Sequence, residues 1–394
     1  MKILIANKFY YRRGGDCIYA LNLEQMLRDR GHEVAVFAMD YPENLPTPWQ
    51  KYFPKNMTRL MALTRPFGSR EVRRKFSALL DDFAPDVVHL NNIHTHLSPV
   101  IAELAHARGI RTVWTLHDYK LLCPRYDCML GGMNPCQRCF GDNKRGCLDY
   151  SCIKGSKLQS AVGYREARHW SRRRLERVVD MFICPSAFMA HNMKAGGFDP
   201  AKLTVLNNFI DTDRWLASNE TTSADIDKLT AEPYYCYVGR LSREKGVRTL
   251  VEAAAMNSRR LILIGNGPLE AELRSKAGQN VVFAGFRTPA DVRVLVGRAR
   301  MMVLPSECYE NNPLSVIEAQ IMGTPTLGAD IGGIPELIEP GVSGDIFESG
   351  NPRALSEATE RLWNMTFDRN AISRNAISRF NADTYYKKLT KLYH

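Results

Sequence analysis

The chain has 394 residues, 45% apolar and 24% charged, which excludes disordered, collagenous and mini-protein classes and suits two domains with sizeable cores. Its formal net charge of +11 is confined to one half: residues 1–212 hold 31 basic and 20 acidic side chains, residues 213–394 hold 22 of each. Such one-sidedness points to an anionic partner (nucleic acid, a membrane surface or a phosphorylated substrate) unless the charges only solvate helix faces.

Short apolar runs alternate with helical patterns throughout, the signature of α/β architecture with parallel sheets. In the first half the spacing predicts strands at Lys2–Ala6, Glu33–Phe37, Asp86–Leu90, Arg111–Leu116, Met181–Cys184 and Leu203–Leu206. A helix from Asp16 to Arg30 carries Ala20, Leu23, Met26 and Leu27 on one face and ends at Gly31. Two basic stretches follow, Lys51 to Lys75 and Lys154 to Arg177, each with eight cations. Asn207 to Arg214 reads as a polar connector. Asp211-Thr212-Asp213 inside it fits a turn better than a divalent-metal pair. The pattern then restarts, with strands at Tyr234–Val238, Arg260–Ile264, Val281–Phe283, Met301–Leu304 and Thr324–Leu327. A final helix, Asp383 to Tyr393, presents Tyr386, Leu389 and Tyr393 on an apolar face.

No apolar run approaches the ~20 residues needed to span a bilayer. Met1-Lys2 precedes only a short apolar run, which reads as a first strand rather than a signal peptide, so a cytoplasmic chain is expected. Six of the ten cysteines fall within thirty residues: Cys123, Cys128, Cys136, Cys139, Cys147 and Cys152. In a reducing compartment, Cys136-x2-Cys139-x7-Cys147-x4-Cys152 has spacing compatible with a tetrahedral structural zinc; free thiols and disulfides are the other readings.

Three loops could carry chemistry. Gly14-Gly15 lies between the first strand and its helix, where a helix N-terminus favours a phosphate, or where glycine serves the turn's geometry alone. Gly239-Arg240-Leu241-Ser242-Arg243-Glu244-Lys245-Gly246 places two cations beside a diphosphate or merely exposes a basic loop. Pro305 to Ala319 puts Glu310 in a loop and Glu318 inside the following helix, whose first N–H groups could cradle phosphates between the carboxylates, unless the acidic residues merely suit the helix macrodipole. Gly265-Asn266-Gly267 lacks the third glycine of a dinucleotide fingerprint. His89, His94, His96 and His117 cluster at two strand ends, where a parallel sheet presents residues to a cleft; packing or capping is the alternative for each.

Taken together, the early Gly pair, GRLSREKG, PSECYENNPLSVIEA and PTLGADIGGIPELI resemble the family-4 retaining glycosyltransferases over nearly the whole chain. The resemblance implies the GT-B fold: two Rossmann-like, doubly wound α/β domains facing a central cleft. The domains expected are residues 1–212, binding acceptor and carrying a Cys-rich insertion at 123–152, and residues 213–379, binding the nucleotide-sugar donor. A C-terminal helix at 380–394 would pack back on the first domain. It further implies that Glu310 contacts donor-sugar hydroxyls and Glu318 the ribose. Amides around Asn312, Pro313, Leu314 and Ser315 would hold the diphosphate with Arg240 and Lys245. Gly14 and Gly15 would close on the same phosphates, Arg287 would border the base, and His117 would contact the transferred sugar. Asn92 and His94 are candidates for the acceptor side.

No cofactor is required by that chemistry. The family's usual Gly-Phe-Gly after the first Glu is here Asn311-Asn312-Pro313, so the sugar's identity is not carried over. The expected product belongs to a surface polysaccharide or glycolipid, made on a glycan or lipid-linked phosphate acceptor. Met57, Leu60, Met61 and Leu63 lie among the first stretch's cations, a mixture suited to an anionic membrane surface, which would place the chain on the inner face of the cytoplasmic membrane. Two other readings are a sugar-nucleotide epimerase of the same fold and a basic nucleic-acid-binding protein. The basic stretches show little aromatic interleaving, so no nucleic-acid partner is expected.

Overall fold

The computed structural model describes residues 1–55, 61, 64–131, 134–217 and 223–394, of which the side chains of Arg214 and Ala217 are left aside. Met57, Leu60 and Leu63 lie outside the described residues. The chain divides into two compact units, Met1–Asn208 with Tyr385–His394, and Phe209–Thr384.

The first unit is built on strands β1 (Lys2–Ala6), β2 (Glu33–Phe37), β3 (Val87–Leu90), β4 (Arg111–Thr115), β7 (Met181–Cys184) and β8 (Leu203–Val205). A short antiparallel hairpin, β5 (Met129–Leu130) and β6 (Asn134–Pro135), falls between β4 and β7. The six-stranded sheet is parallel, in the order β2-β1-β3-β4-β7-β8. All its strands but the edge strand β8 are buried almost throughout, as expected of a sheet covered on both faces, which is why their sequences are continuous apolar runs. The strand order reverses between β1 and β3, and the loops leaving those two strands are Asn7–Gly14 and Asn91–Pro99.

The second unit contains β9 (Tyr235–Val238), β10 (Leu261–Ile264), β11 (Val281–Gly285), β12 (Met302–Leu304), β13 (Thr326–Ala329) and β14 (Gly344–Phe347). Their order, β11-β10-β9-β12-β13-β14, is that of a dinucleotide-binding fold. Here the reversal falls between β9 and β12. Ligands of open α/β sheets bind beyond the strand C-termini at such a point, so each unit has one predetermined place for a site.

Three local expectations change. Asn207 to Arg214 is not wholly a connector, because a helix, Thr212–Ala217, starts within it and Trp215 N donates to Asp211 O at 2.8 Å. The final strand β14 was not foreseen. At the tail, Phe380 ends one helix (Arg369–Phe380), Asn381 breaks it in extended backbone, and a second helix runs Ala382–Tyr393. That last helix buries Tyr385, Leu389 and Tyr393, whereas Tyr386 is only half-buried. The division between the units falls after Asn208, four residues before the expected boundary.

The partition sharpens the charge asymmetry. The first unit holds 34 basic and 19 acidic side chains, the second 19 and 23. Among the described residues no helix is long and apolar enough to cross a membrane.

Candidate active site

In the second unit the two loops at the strand-order reversal meet. The loop after β9 turns through a short 3-10 helix, Arg243–Lys245, and ends on Gly246 at φ 67°. A Cβ there would lie 1.7 Å from Pro305 O, at the end of β12, so only glycine lets these two loops touch. The contact brings Lys245 Nζ to 2.6 Å from Glu310 Oε1. Ser306 Oγ donates to the same carboxylate oxygen at 2.8 Å. Burial alone would lower the Lys245 pKa, but the adjacent Glu310 carboxylate outweighs it and leaves the ammonium's pKa raised, so the side chain is a fixed cation.

Glu310 is also held from below. Gly333 N donates to Glu310 O at 2.7 Å, and Gly332, at φ 64°, presses so close that a Cβ would sit 2.5 Å from that oxygen. The two glycines of GGIPELI thus serve to seat the acidic loop.

Beyond Glu310, Asn312 is buried and Pro313 caps a helix, Leu314–Ile321. The amides of Leu314 and Ser315 open that helix, whose N-terminal end favours an anion. Glu318 lies one turn further on, and burial pushes its carboxyl up to about 7 despite Arg293 pulling the other way. Arg240 is exposed, its backbone carbonyl fixed by the Tyr237 hydroxyl at 2.9 Å. Arg287 is not an open cation. Its Nη1 lies 2.6 Å from Asp225 Oδ2 and its Nε donates to Ala284 O, so it ties the loop after β11 to the helix Ala224–Leu229.

The first unit presents a second constellation at its own reversal. Gly14 and Gly15 open the helix Gly15–Asp29; a Cβ on Gly15 would meet nothing within 4 Å. Gly14 is extended at φ −154°, a conformation open to any residue. Protein packing therefore explains neither glycine. Asn92 Nδ2 donates to Asp16 Oδ2 at 3.1 Å, joining this loop to the one after β3.

His117 follows β4 and is bonded through Nε2 to Asn91 Oδ1 at 3.0 Å. An amide oxygen only accepts, so the ring hydrogen sits on Nε2. Burial lowers the His117 pKa to about 4, partly opposed by Asp16, and the ring is neutral at pH 7. Its face is met edge-on by Tyr19 at 4.9 Å between ring centroids. His94 lies against Trp114, ring centroids 5.2 Å apart and planes tilted by 33°, and points Nε2 toward Asp118 Oδ1 at 3.8 Å; burial holds it neutral too, near 3, while Asp118 is raised to about 6 by burial.

Behind His117 lies a closed set of hydrogen bonds that no local sequence pattern reveals. The Tyr19 hydroxyl bonds to Thr115 Oγ1 at 3.2 Å and to the Tyr385 hydroxyl. Thr115 Oγ1 bonds to His89 Nε2 at 2.8 Å, and His89 Nδ1 to the Tyr393 hydroxyl at 2.6 Å. Tyr385 and Tyr393 both belong to the last helix, which Arg111 also anchors by donating from Nε to Leu392 O. His89 is therefore a packed, wholly buried histidine rather than a cleft residue.

Gly14, Gly15, Asn92 and His94 thus fall at the strand-order reversal of the first unit, and Arg240, Lys245, Glu310 and the segment from Asn312 to Glu318 at that of the second, whereas His117 follows β4, Arg287 follows β11 and the four cysteines lie in the insertion. Ser306, Gly332, Asn91 and Tyr19 complete the surroundings. Only the glycine pair of GGIPELI left a trace in sequence.

Two parallel-sheet α/β units, the second with cations and a helix N-terminus at its strand-order reversal, define a doubly wound two-domain class whose sites lie beyond the strand C-termini. Two family models match the chain: Glycosyltransferase Family 4 over residues 13–214 and Glycosyl transferases group 1 over residues 218–379. The chain belongs to glycosyltransferase family 4, and its fold is GT-B. It is 29% identical over 182 residues to alpha-D-kanosaminyltransferase of Streptomyces kanamyceticus, an overlap of 41% of this chain and 47% of that protein. It is 31% identical over 153 residues to O-antigen chain mannosyltransferase C of Escherichia coli, covering 37% of this chain and 41% of that one. The chain thus spans about half or less of these curated relatives. Anabaena Alr3699/HepE, solved in complex with UDP, superposes with a TM-score of 0.68 at 20% identity over 99% of both chains.

Proposed function

We propose that this glycosyltransferase moves a sugar from a nucleoside-diphosphate sugar to a hydroxyl of a glycan or lipid-linked phosphate acceptor, with retention at the anomeric carbon. The observation that carries the proposal is the Lys245–Glu310 pair seated beside the N-terminus of the helix Leu314–Ile321. A fixed cation, an exposed guanidinium at Arg240 and a helix N-terminus together suit a diphosphate, and Glu310 beside them suits the hydroxyls of the attached sugar.

In this reading the bond from the anomeric carbon to the diphosphate breaks, and its electron pair stays on the leaving phosphate oxygen. Lys245, Arg240 and the backbone N–H groups of Asn312, Leu314 and Ser315 stabilise that charge, and Pro313, which has no N–H, shapes the turn between them. The acceptor oxygen bonds to the same face of the sugar, and its proton passes to the leaving phosphate oxygen. Glu318 receives the ribose hydroxyls, and the loop pinned by Arg287 and Asp225 borders the base. Gly14 and Gly15, which packing does not require, leave room for phosphate oxygens. His117, neutral and oriented by Asn91, bonds to the transferred sugar, while Asn92 and His94 belong to the acceptor's side. No metal or cofactor takes part in these steps.

The solved neighbour with UDP supports a nucleotide donor, and the O-antigen relative supports a polysaccharide product. The first unit's cationic excess supports a phosphorylated acceptor at an anionic membrane surface. A panel of UDP- and GDP-sugars tests the reading. One donor should raise Tm and be slowly hydrolysed to nucleoside diphosphate, with the first-formed free sugar keeping the donor's anomeric configuration by proton NMR. Failure of every nucleotide sugar to bind removes the proposal, and an inverted anomer removes retention.

A further inference from the structure

Away from both strand-order reversals, the 123–152 insertion poses a folding problem. Its regular structure is the two-residue strands β5 and β6 and one five-residue helix, Arg145–Asp149. Tyr126, Cys128 and Ser151 hold positive φ without being glycine, a conformation that must be imposed by the surroundings. Among the described residues of the insertion, Pro124 and Met129 are the buried apolar side chains besides Cys128, Cys139 and Cys147. A segment so poor in core ordinarily relies on a cross-link or a metal.

The cysteines converge. Cys123, Cys136, Cys139, Cys147 and Cys152 all line one small cavity, and the sixth, Cys128, is not on its wall. All six are free thiols. A buried cation stands beside them: Lys144 is 7% exposed and its Nζ donates to Leu122 O at 2.8 Å and Cys139 O at 2.7 Å. No carboxylate among the described residues forms an ion pair with it. A buried ammonium with no carboxylate in ion-pair range is costly; Asp142, the carboxylate that acts on it, is exposed, and the groups nearby that can become anionic in numbers are the thiols. Arg138, stacked on Tyr150 at 5.1 Å, lines the same cavity.

We propose that Cys136, Cys139, Cys147 and Cys152 bind one thiophilic metal centre as thiolates, with the buried Lys144 and the exposed Arg138 as its counter-charges. Four thiolates around a divalent ion carry two net negative charges, which these two cations balance. Among the described residues no three His, Cys, Asp or Glu side chains are yet grouped to hold a metal. Instead the S–H groups are turned to separate carbonyls: Cys139 to Lys144 O at 3.7 Å, Cys147 to Ser160 O at 4.0 Å and Cys152 to Gly146 O at 3.7 Å. These are long, weak bonds, so turning the sulfurs inward costs little. On loading, four protons leave to water as four metal–sulfur bonds form. A closed set of four protein ligands leaves no open position, so the centre is structural.

Elemental analysis and native mass spectrometry of the full chain, purified with reductant and without chelator, test this independently of any transferase activity. About one zinc per chain is expected, or about two to four irons with matching inorganic sulfide. Colourless protein with zinc, or brown protein with iron and inorganic sulfide, each supports a thiolate centre and distinguishes its two forms. Cys147→Ser should lose the metal, and Cys184→Ser, in β7, should keep it. Should Cys147→Ser not fold, stripping the wild type with chelator decides: cysteines 136, 139, 147 and 152 should become newly reactive to alkylation. Less than about half an equivalent of any transition metal, with these thiols either freely reactive or joined as disulfides, overturns the proposal.

Discussion

Lys245 Nζ and Glu310 Oε1 lie 2.6 Å apart although 65 residues separate them, and a glycine is the reason. Gly246 lets the loop after β9 rest on Pro305, and that contact sets the distance. The pair is ready to act on charge that appears next to it, because its cation is fixed before any ligand arrives.

Lys245→Ala should therefore lower turnover by at least ~10²-fold, the scale of losing one preorganised electrostatic donor. Steady-state kinetics with a matched donor checks this. Glu310→Gln should keep the Ser306 bond but lose the ion pair, and should lower kcat more than it weakens binding of free nucleotide.

The seat of Glu310 is testable without touching its charge. Gly332→Ala puts a methyl 2.5 Å from Glu310 O at a φ of 64°. It should lower stability by about 1–3 kcal/mol and depress activity with it, whereas Gly350→Ala, also at positive φ but with open space around its Cβ, should cost stability alone. Thermal melts and donor hydrolysis read the two effects separately.

Tyr385 reaches His117 through Tyr19, which makes it a positioning residue. Tyr385→Phe removes the hydroxyl that steadies Tyr19 and should lower kcat by about five-fold, the scale of one hydrogen bond, while binding of UDP is unchanged. Tyr386, one residue on, bonds instead to His32 Nε2 at 2.7 Å. Tyr386→Phe should loosen the same helix and leave kcat unaltered. Equal effects in the two variants would mean that the helix matters only for docking.

The buried histidines set the direction of the pH response. His89 and His94 have pKa values lowered to about 3 and His117 to about 4, in each case chiefly by burial. Their unfolded values are near 6.5. The unfolded chain thus binds more protons between those limits, so stability is fully present above pH 6.5 and is lost as pH falls toward 4. Tm should drop across that window, and His89→Gln should flatten the drop. An unchanged slope in that variant would contradict the assignment.

Much of this was legible in sequence because buried parallel strands must be apolar along their whole length. Ile3-Leu4-Ile5 and Leu261-Ile262-Leu263 could hardly be anything else. β14, Gly-Asp-Ile-Phe, escaped because an edge strand needs fewer buried positions. Tyr385 was misplaced by one residue because the final helix offers adjacent tyrosines and only packing chooses between them. The motif residues were found because loops at strand ends are marked by Gly, Lys and Glu. Their supports were not: Asn91 reaches His117 across 26 residues and Tyr385 reaches Tyr19 across 366, distances at which no local pattern survives.

The most direct test is the initial rate of nucleoside-diphosphate release from the stabilising donor, measured side by side for the wild type and Lys245→Ala. The predicted result is release by the wild type and a fall of at least ~10²-fold in the variant, with the fold intact by circular dichroism. Near-normal release from Lys245→Ala would contradict the account.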